Sequence, residues 1–98
     1  MPALCDVEVA SALRRGLLIG RLDEERAAEA LHDYLDLPLT RHGHQRLLRR
    51  MLSLRSNFSA YDATYIALAE ALGGALLTGD ERVAGSVRKT LKLAILPP

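Results

Sequence analysis

Three carboxylates stand where the chain turns into an apolar or amphipathic segment: Glu8 in DVEVASALRR, Asp62 in SAYDATYIALAEALGG and Asp80 in ALLTGDERVA. Each has an ordinary structural reading. Ser59 and Asp62 have the S-x-x-[DE] spacing of a capping box, and Thr78 with Glu81 offers another such pairing. Asp80 is placed to cap ERVAGSV, and Glu8 suits the positive end of a helix dipole. The chemical reading takes the three together. Carboxylates gathered at one edge repel one another unless protons or a cation compensate. Mg²⁺ and Mn²⁺ take such hard oxygen donors and keep several waters. An ion held there would activate water against a phosphodiester. No Ser–His or Cys–His couple offers a competing nucleophile.

Whether the acids meet depends on the elements that carry them. The spacing predicts a first helix over DVEVASALRRG, with Asp6 at its start and Arg14, Arg15 and Gly16 at its end. A second helix is expected from Asp23 through ERAAEALHDYL, burying Ala27, Ala30, Leu31 and Tyr34 before Pro38. PLTRH, residues 38–42, reads as a short strand opened by proline. HQRLLRRMLSLR has a helical stripe of Leu47, Leu48, Met51, Leu52 and Leu54, with Arg46, Arg49 and Arg50 outside. The helix after Ser59 should bury Tyr65, Ile66, Leu68, Ala69 and Leu72, and Gly73 and Gly74 should stop it.

ALLT, residues 75–78, reads as a parallel strand covered on both faces. A short helix from about Glu81 and a last strand LKLAILP follow. This alternation predicts an α/β fold with a small, mostly parallel sheet of about three strands. Ligands bind such sheets at the carboxyl ends of the strands. Asp80 directly follows ALLT. A parallel crossover would bring the Asp62 helix start to the same edge.

Composition narrows the classes further. The chain has 98 residues, 49% apolar and 26% charged, with a net charge of +1. That is one globular domain without a global case for nucleic-acid binding, so any such contact must come from a local basic face. Arg14, Arg15, Arg46, Arg49, Arg50 and Arg82 are the candidates, and a solvated helix face is the plainer reading of RLLRRMLSLR. A small basic DNA binder is the weaker class, because no helix-turn-helix spacing is evident. The single Cys5 excludes an internal disulfide. No apolar run approaches the roughly 20 residues that span a bilayer, and no signal-peptide pattern opens the chain, so a cytoplasmic location is expected. His42-Gly43-His44 lacks the partners of a zinc site and reads as a loop.

The stretches DVEVASALRR, SAYDATYIALAEALGG and ALLTGDERVA together resemble the PIN-domain ribonucleases, in particular the VapC-type toxins of toxin–antitoxin pairs. The resemblance implies a three-layer α/β/α fold and an endoribonuclease dependent on Mg²⁺ or Mn²⁺. It implies that Glu8, Asp62 and Asp80 bind the metal, with Thr78 beside them. It implies an RNA substrate, a VapB-like antitoxin partner and a homodimer. The family opens with a strand ending in aspartate, and no stretch here matches it. The resemblance therefore implies a single PIN-like domain over residues 1–98 with the N-terminal strand–helix unit missing. The alternative to an active enzyme is a catalytically impaired remnant that binds an antitoxin or dimerises.

Overall fold

A computed structural model describes residues 1–97 of the chain. The described residues fall into two compact units: Met1 with Ala3–Arg41, and Pro2 with the chain from His42 onward.

The first unit holds two helices, α1 (Leu4–Leu18) and α2 (Glu24–Asp36). α1 outruns the expected stop at Gly16 and closes at Gly20, whose φ of 76° is the left-handed conformation that suits glycine. The Gly20 and Arg21 amides donate to the Leu17 and Gly16 carbonyls, which satisfies the orphan acceptors of the last turn. α2 starts where its capping residue predicts: the Asp23 carboxylate accepts the Arg26 amide at 2.8 Å. Of its expected stripe only Ala27 is buried, while Leu31 is 43% exposed.

Asp6 departs from the sequence reading. It lies inside α1 and caps nothing. Its carboxylate accepts the Tyr34 hydroxyl at 2.5 Å and the Arg41 Nε at 2.8 Å. These two donors hold the Asp6 carboxyl below its ordinary range. The same bond pushes the Tyr34 phenol up to about 12. The Arg41 guanidinium also lies 5.5 Å from the Tyr34 ring centre. A sequence window shows local caps, whereas these partners are 28 and 35 residues away.

The second unit carries a 3₁₀ turn (Gln45–Leu47), α3 (Leu48–Ser53), α4 (Ala60–Ala71), β1 (Leu76–Leu77), α5 (Glu81–Thr90) and β2 (Ile95–Leu96). Leu54, Phe58, Ala63, Ile66, Leu76, Val83 and Val87 form its core, and Ile66 and Val87 are fully enclosed. α4 ends in the same way as α1, with Gly73 at φ 65° and the Gly73 and Gly74 amides on the Glu70 and Ala69 carbonyls. β1 and β2 pair in parallel, Leu76 opposite Ile95 and Leu77 opposite Leu96. The helix-rich unit with its small parallel sheet has the expected α/β character.

Three expectations are corrected here. Residues 38–42 form no ladder strand; among them only His42 makes an isolated bridge, to Pro2. Pro38 lacks the amide that a ladder needs. The sheet among the described residues therefore has two strands. Second, β1 is covered on one face alone, since Leu76 is 6% exposed and Leu77 65%. Third, Leu48, Leu52 and Leu72 are exposed, because α3 is six residues long and buries little beyond Met51 and Leu54 against α4.

Candidate active site at the starts of α4 and α5

Ser59 and Asp80 are both caps. The Asp62 amide donates to Ser59 Oγ at 3.1 Å, which makes Asp62 the third residue of α4. One oxygen of Asp80, Oδ1, accepts the Arg82 and Val83 amides at 3.0 and 3.2 Å. The Ser59 and Asp80 caps therefore hold, whereas the Thr78 hydroxyl takes the Asp80 amide and not that of Glu81, so Thr78 with Glu81 is not a capping box. The two caps leave the chemical reading open, because a cap uses only part of a carboxylate. Asp80 Oδ2 has the Arg82 guanidinium 3.8 Å away, an exposed pair of little energetic weight.

Asp62 and Thr78 come together. They line one cavity of about 190 Å³ with Tyr65, Leu76, Leu77 and Val83. Thr78 follows β1 directly, and its hydroxyl accepts the Asp80 amide at 3.1 Å, so the turn from strand to helix binds Asp80 to the cavity wall. Asp62 also lines a second cavity of about 210 Å³, with Asn57, Ser59, Arg82 and Ser86 at its rim and Phe58 and Val83 as its apolar floor. Asn57 and Ser86 were not singled out by the sequence analysis. The available signal is the i, i+4 spacing of Arg82 and Ser86, which puts both on one face of α5.

The other candidates are placed as follows. Glu8 lies in α1 of the first unit, along a groove with Ser11, Ala12 and Arg15. Arg14 is exposed on the same helix. Arg46 lies in the 3₁₀ turn and Arg49 in α3, both exposed. Arg50 is bound in a bidentate pair, its Nε and Nη2 donating to the two Glu70 oxygens at 2.8 and 2.9 Å. That carboxylate raises the Arg50 pKa further. His44 precedes the 3₁₀ turn, and its Nδ1 is buried with no hydrogen-bond partner among the described residues.

The donors of the second unit suit a hard divalent cation in kind: two carboxylates and a hydroxyl, with room for water. They are a partial set. Among the described residues of this unit, no three His, Cys, Asp or Glu side chains gather into a group able to hold a metal ion.

An acid at the head of a helix, a Thr-x-Asp turn after a parallel strand and a cavity between them define a candidate site for metal-assisted chemistry on an α/β frame. Residues 1–87 match the PIN domain family, and the chain belongs to it. It is 39% identical over 97 residues to "VapC ribonuclease Mb0985" of Mycobacterium bovis and, equally, to "Ribonuclease VapC9" of Mycobacterium tuberculosis. Those matches cover 99% of this chain and 76% of each relative. It is 45% identical over 86 residues to "Ribonuclease VapC1" of Mycobacterium tuberculosis, covering 87% of this chain and 65% of that one. No helix among the described residues is long and apolar enough to cross a membrane.

Proposed function

We propose that the chain is a VapC-type endoribonuclease toxin, which hydrolyses RNA phosphodiesters with Mg²⁺ or Mn²⁺ and is held in check by a VapB-like antitoxin. The observation that carries the reading is the Asp62–Thr78–Asp80 arrangement at the starts of α4 and α5, in a chain 39% identical along nearly its whole length to a named ribonuclease. Asp62 and Asp80 would hold the ion with Glu8, and Thr78 supports them. The ion supplies a lowered water pKa and compensation for phosphate charge. The protein's own groups fix the rest. The caps at Ser59 and Asp80 orient the two helix starts, and the Thr78 hydroxyl fixes Asp80 relative to β1. Arg82, at the rim of the larger cavity, meets the RNA backbone; Arg46 and Arg49 in the same unit, and Arg14 and Arg15 in the first unit, are exposed and offer further phosphate contacts. A homodimer is part of the proposal.

Identity to ribonucleases favours an active enzyme over a binding remnant. The test is cleavage of single-stranded RNA by the purified chain, with Mg²⁺ and with chelator. Cleavage that requires the metal supports the reading, and cleavage unaffected by chelator refutes it.

A further inference from the structure

We infer that the cavity bounded by Asn57, Ser59, Asp62, Arg82 and Ser86 is a subsite for one unpaired nucleotide of the RNA, with Asn57 reading its base and Arg82 holding its phosphate. The inference rests on the ribonuclease reading above, and it adds a residue that decides where the strand is cut.

The cavity is about 210 Å³, less than the roughly 300 Å³ at which drug-sized pockets begin, so it has room for one base, with the sugar and phosphate left at its rim. Its floor is apolar, from Phe58 at 8% and Val83 at 7% exposure. Its rim is polar. That division suits a nucleobase, whose faces are apolar and whose edges carry donors and acceptors. Asn57 presents an amide with both a donor and an acceptor, the chemistry that separates one base edge from another. Arg82 is 84% exposed in its side chain, and its guanidinium lies near the outer oxygen of Asp80. It is thus a solvent-exposed cation that lines the cavity beside the carboxylate that caps α5. Asp62 and Val83 are common to this cavity and to the one lined by Thr78, so a nucleotide seated here adjoins the candidate metal site.

Phosphate contacts fix position without reading sequence, whereas base contacts specify. The two residues should therefore fail differently. The test is the affinity of the unaltered chain, Asn57→Ala and Arg82→Ala for short labelled RNA oligomers differing only in the central base, measured by anisotropy in EDTA so that no strand is cut. The unaltered chain should prefer one central base. Asn57→Ala should flatten that preference by about tenfold, the worth of a strong hydrogen bond. Arg82→Ala should weaken all oligomers alike and reduce the salt slope by about 0.7, one phosphate on a single strand. Asn57→Asp keeps the side-chain shape while removing the amide donor, and should change the preferred base even if the alanine variant is less stable. Unchanged preference in both Asn57 variants, or no preference in the unaltered chain, overturns the subsite. Selective binding through Asn57 without any cleavage in Mg²⁺ would keep the subsite and sink the ribonuclease reading.

Discussion

The Thr78 hydroxyl accepts the Asp80 amide at 3.1 Å while the Asp80 carboxylate accepts two amides of the next helical turn. Strand β1, the turn and α5 are thereby fixed by one residue that also belongs to the candidate site. Asp80 is a structural cap, and substitutions can separate that role from the proposed chemical one.

Asp80→Asn keeps the cap, since asparagine caps as well as aspartate, and it removes the charge. Asp80→Ala removes both, at a cost of about 1 kcal/mol in stability. Chemical denaturation should show the alanine variant destabilised by that amount and the asparagine variant close to the unaltered chain. Both should lose metal-dependent RNA cleavage. An asparagine variant with full activity would reduce Asp80 to a cap.

Ile66 is fully enclosed in the second unit between α4 and its neighbours. Ile66→Ala should cost about 2–5 kcal/mol through lost transfer energy and the cavity left behind. In a domain of this size that is a large share of total stability. A melting temperature within a few degrees of the unaltered chain would mean that the core is not packed as described.

Arg50 and Arg82 give contrasting expectations. The Arg50 guanidinium is committed to Glu70, so Arg50→Ala should lower stability by at most about 1 kcal/mol, as exposed pairs do, and leave the salt slope of RNA binding nearly unchanged. An Arg50→Ala effect on RNA binding as large as that of Arg82→Ala would place the phosphate track along α3.

The Asp6–Tyr34–Arg41 group makes the first unit's stability depend on pH at both ends. The Asp6 pKa is lowered on folding, so its contribution is complete above the ordinary value of 3.8 and is lost as pH falls through the lowered value. The Tyr34 pKa is raised from 10.0 to about 12, so its contribution is complete below 10 and is lost as pH rises through about 12. The contribution of this group to thermal melts followed by circular dichroism, taken as the difference from Tyr34→Phe, should be flat in pH between these limits. Tyr34→Phe should abolish the alkaline loss from this group. A Phe variant with an unchanged alkaline profile would contradict the hydroxyl's role.

The parts of this fold that were legible in the sequence are those held by neighbours in sequence. Asp23, Ser59 and Asp80 each cap within three residues, and the starts of α2, α4 and α5 follow from them. The Thr78–Asp80 turn is local in the same way, whereas Asp62 reaches the cavity beside Thr78 through the fold and not through nearness in sequence. Asp6 was misread as a cap because its partners, Tyr34 and Arg41, are distant in sequence. Leu77 and Leu72 were misread as buried because apolar type alone does not say which face a short strand or a last helical turn presents. Asn57 was overlooked because it lies just outside α4, where neither periodicity nor a capping pattern marks it.

The central claim is that Asp62 and Asp80 hold the cation that cleaves RNA. The most direct test is the single-turnover cleavage rate of Asp62→Asn against the unaltered chain in millimolar Mg²⁺, with Mg²⁺ affinity measured on the same samples by calorimetry. The account predicts at least a ~100-fold loss of rate together with weakened ion binding in a variant that melts normally. Cleavage at the unaltered rate by Asp62→Asn would contradict it.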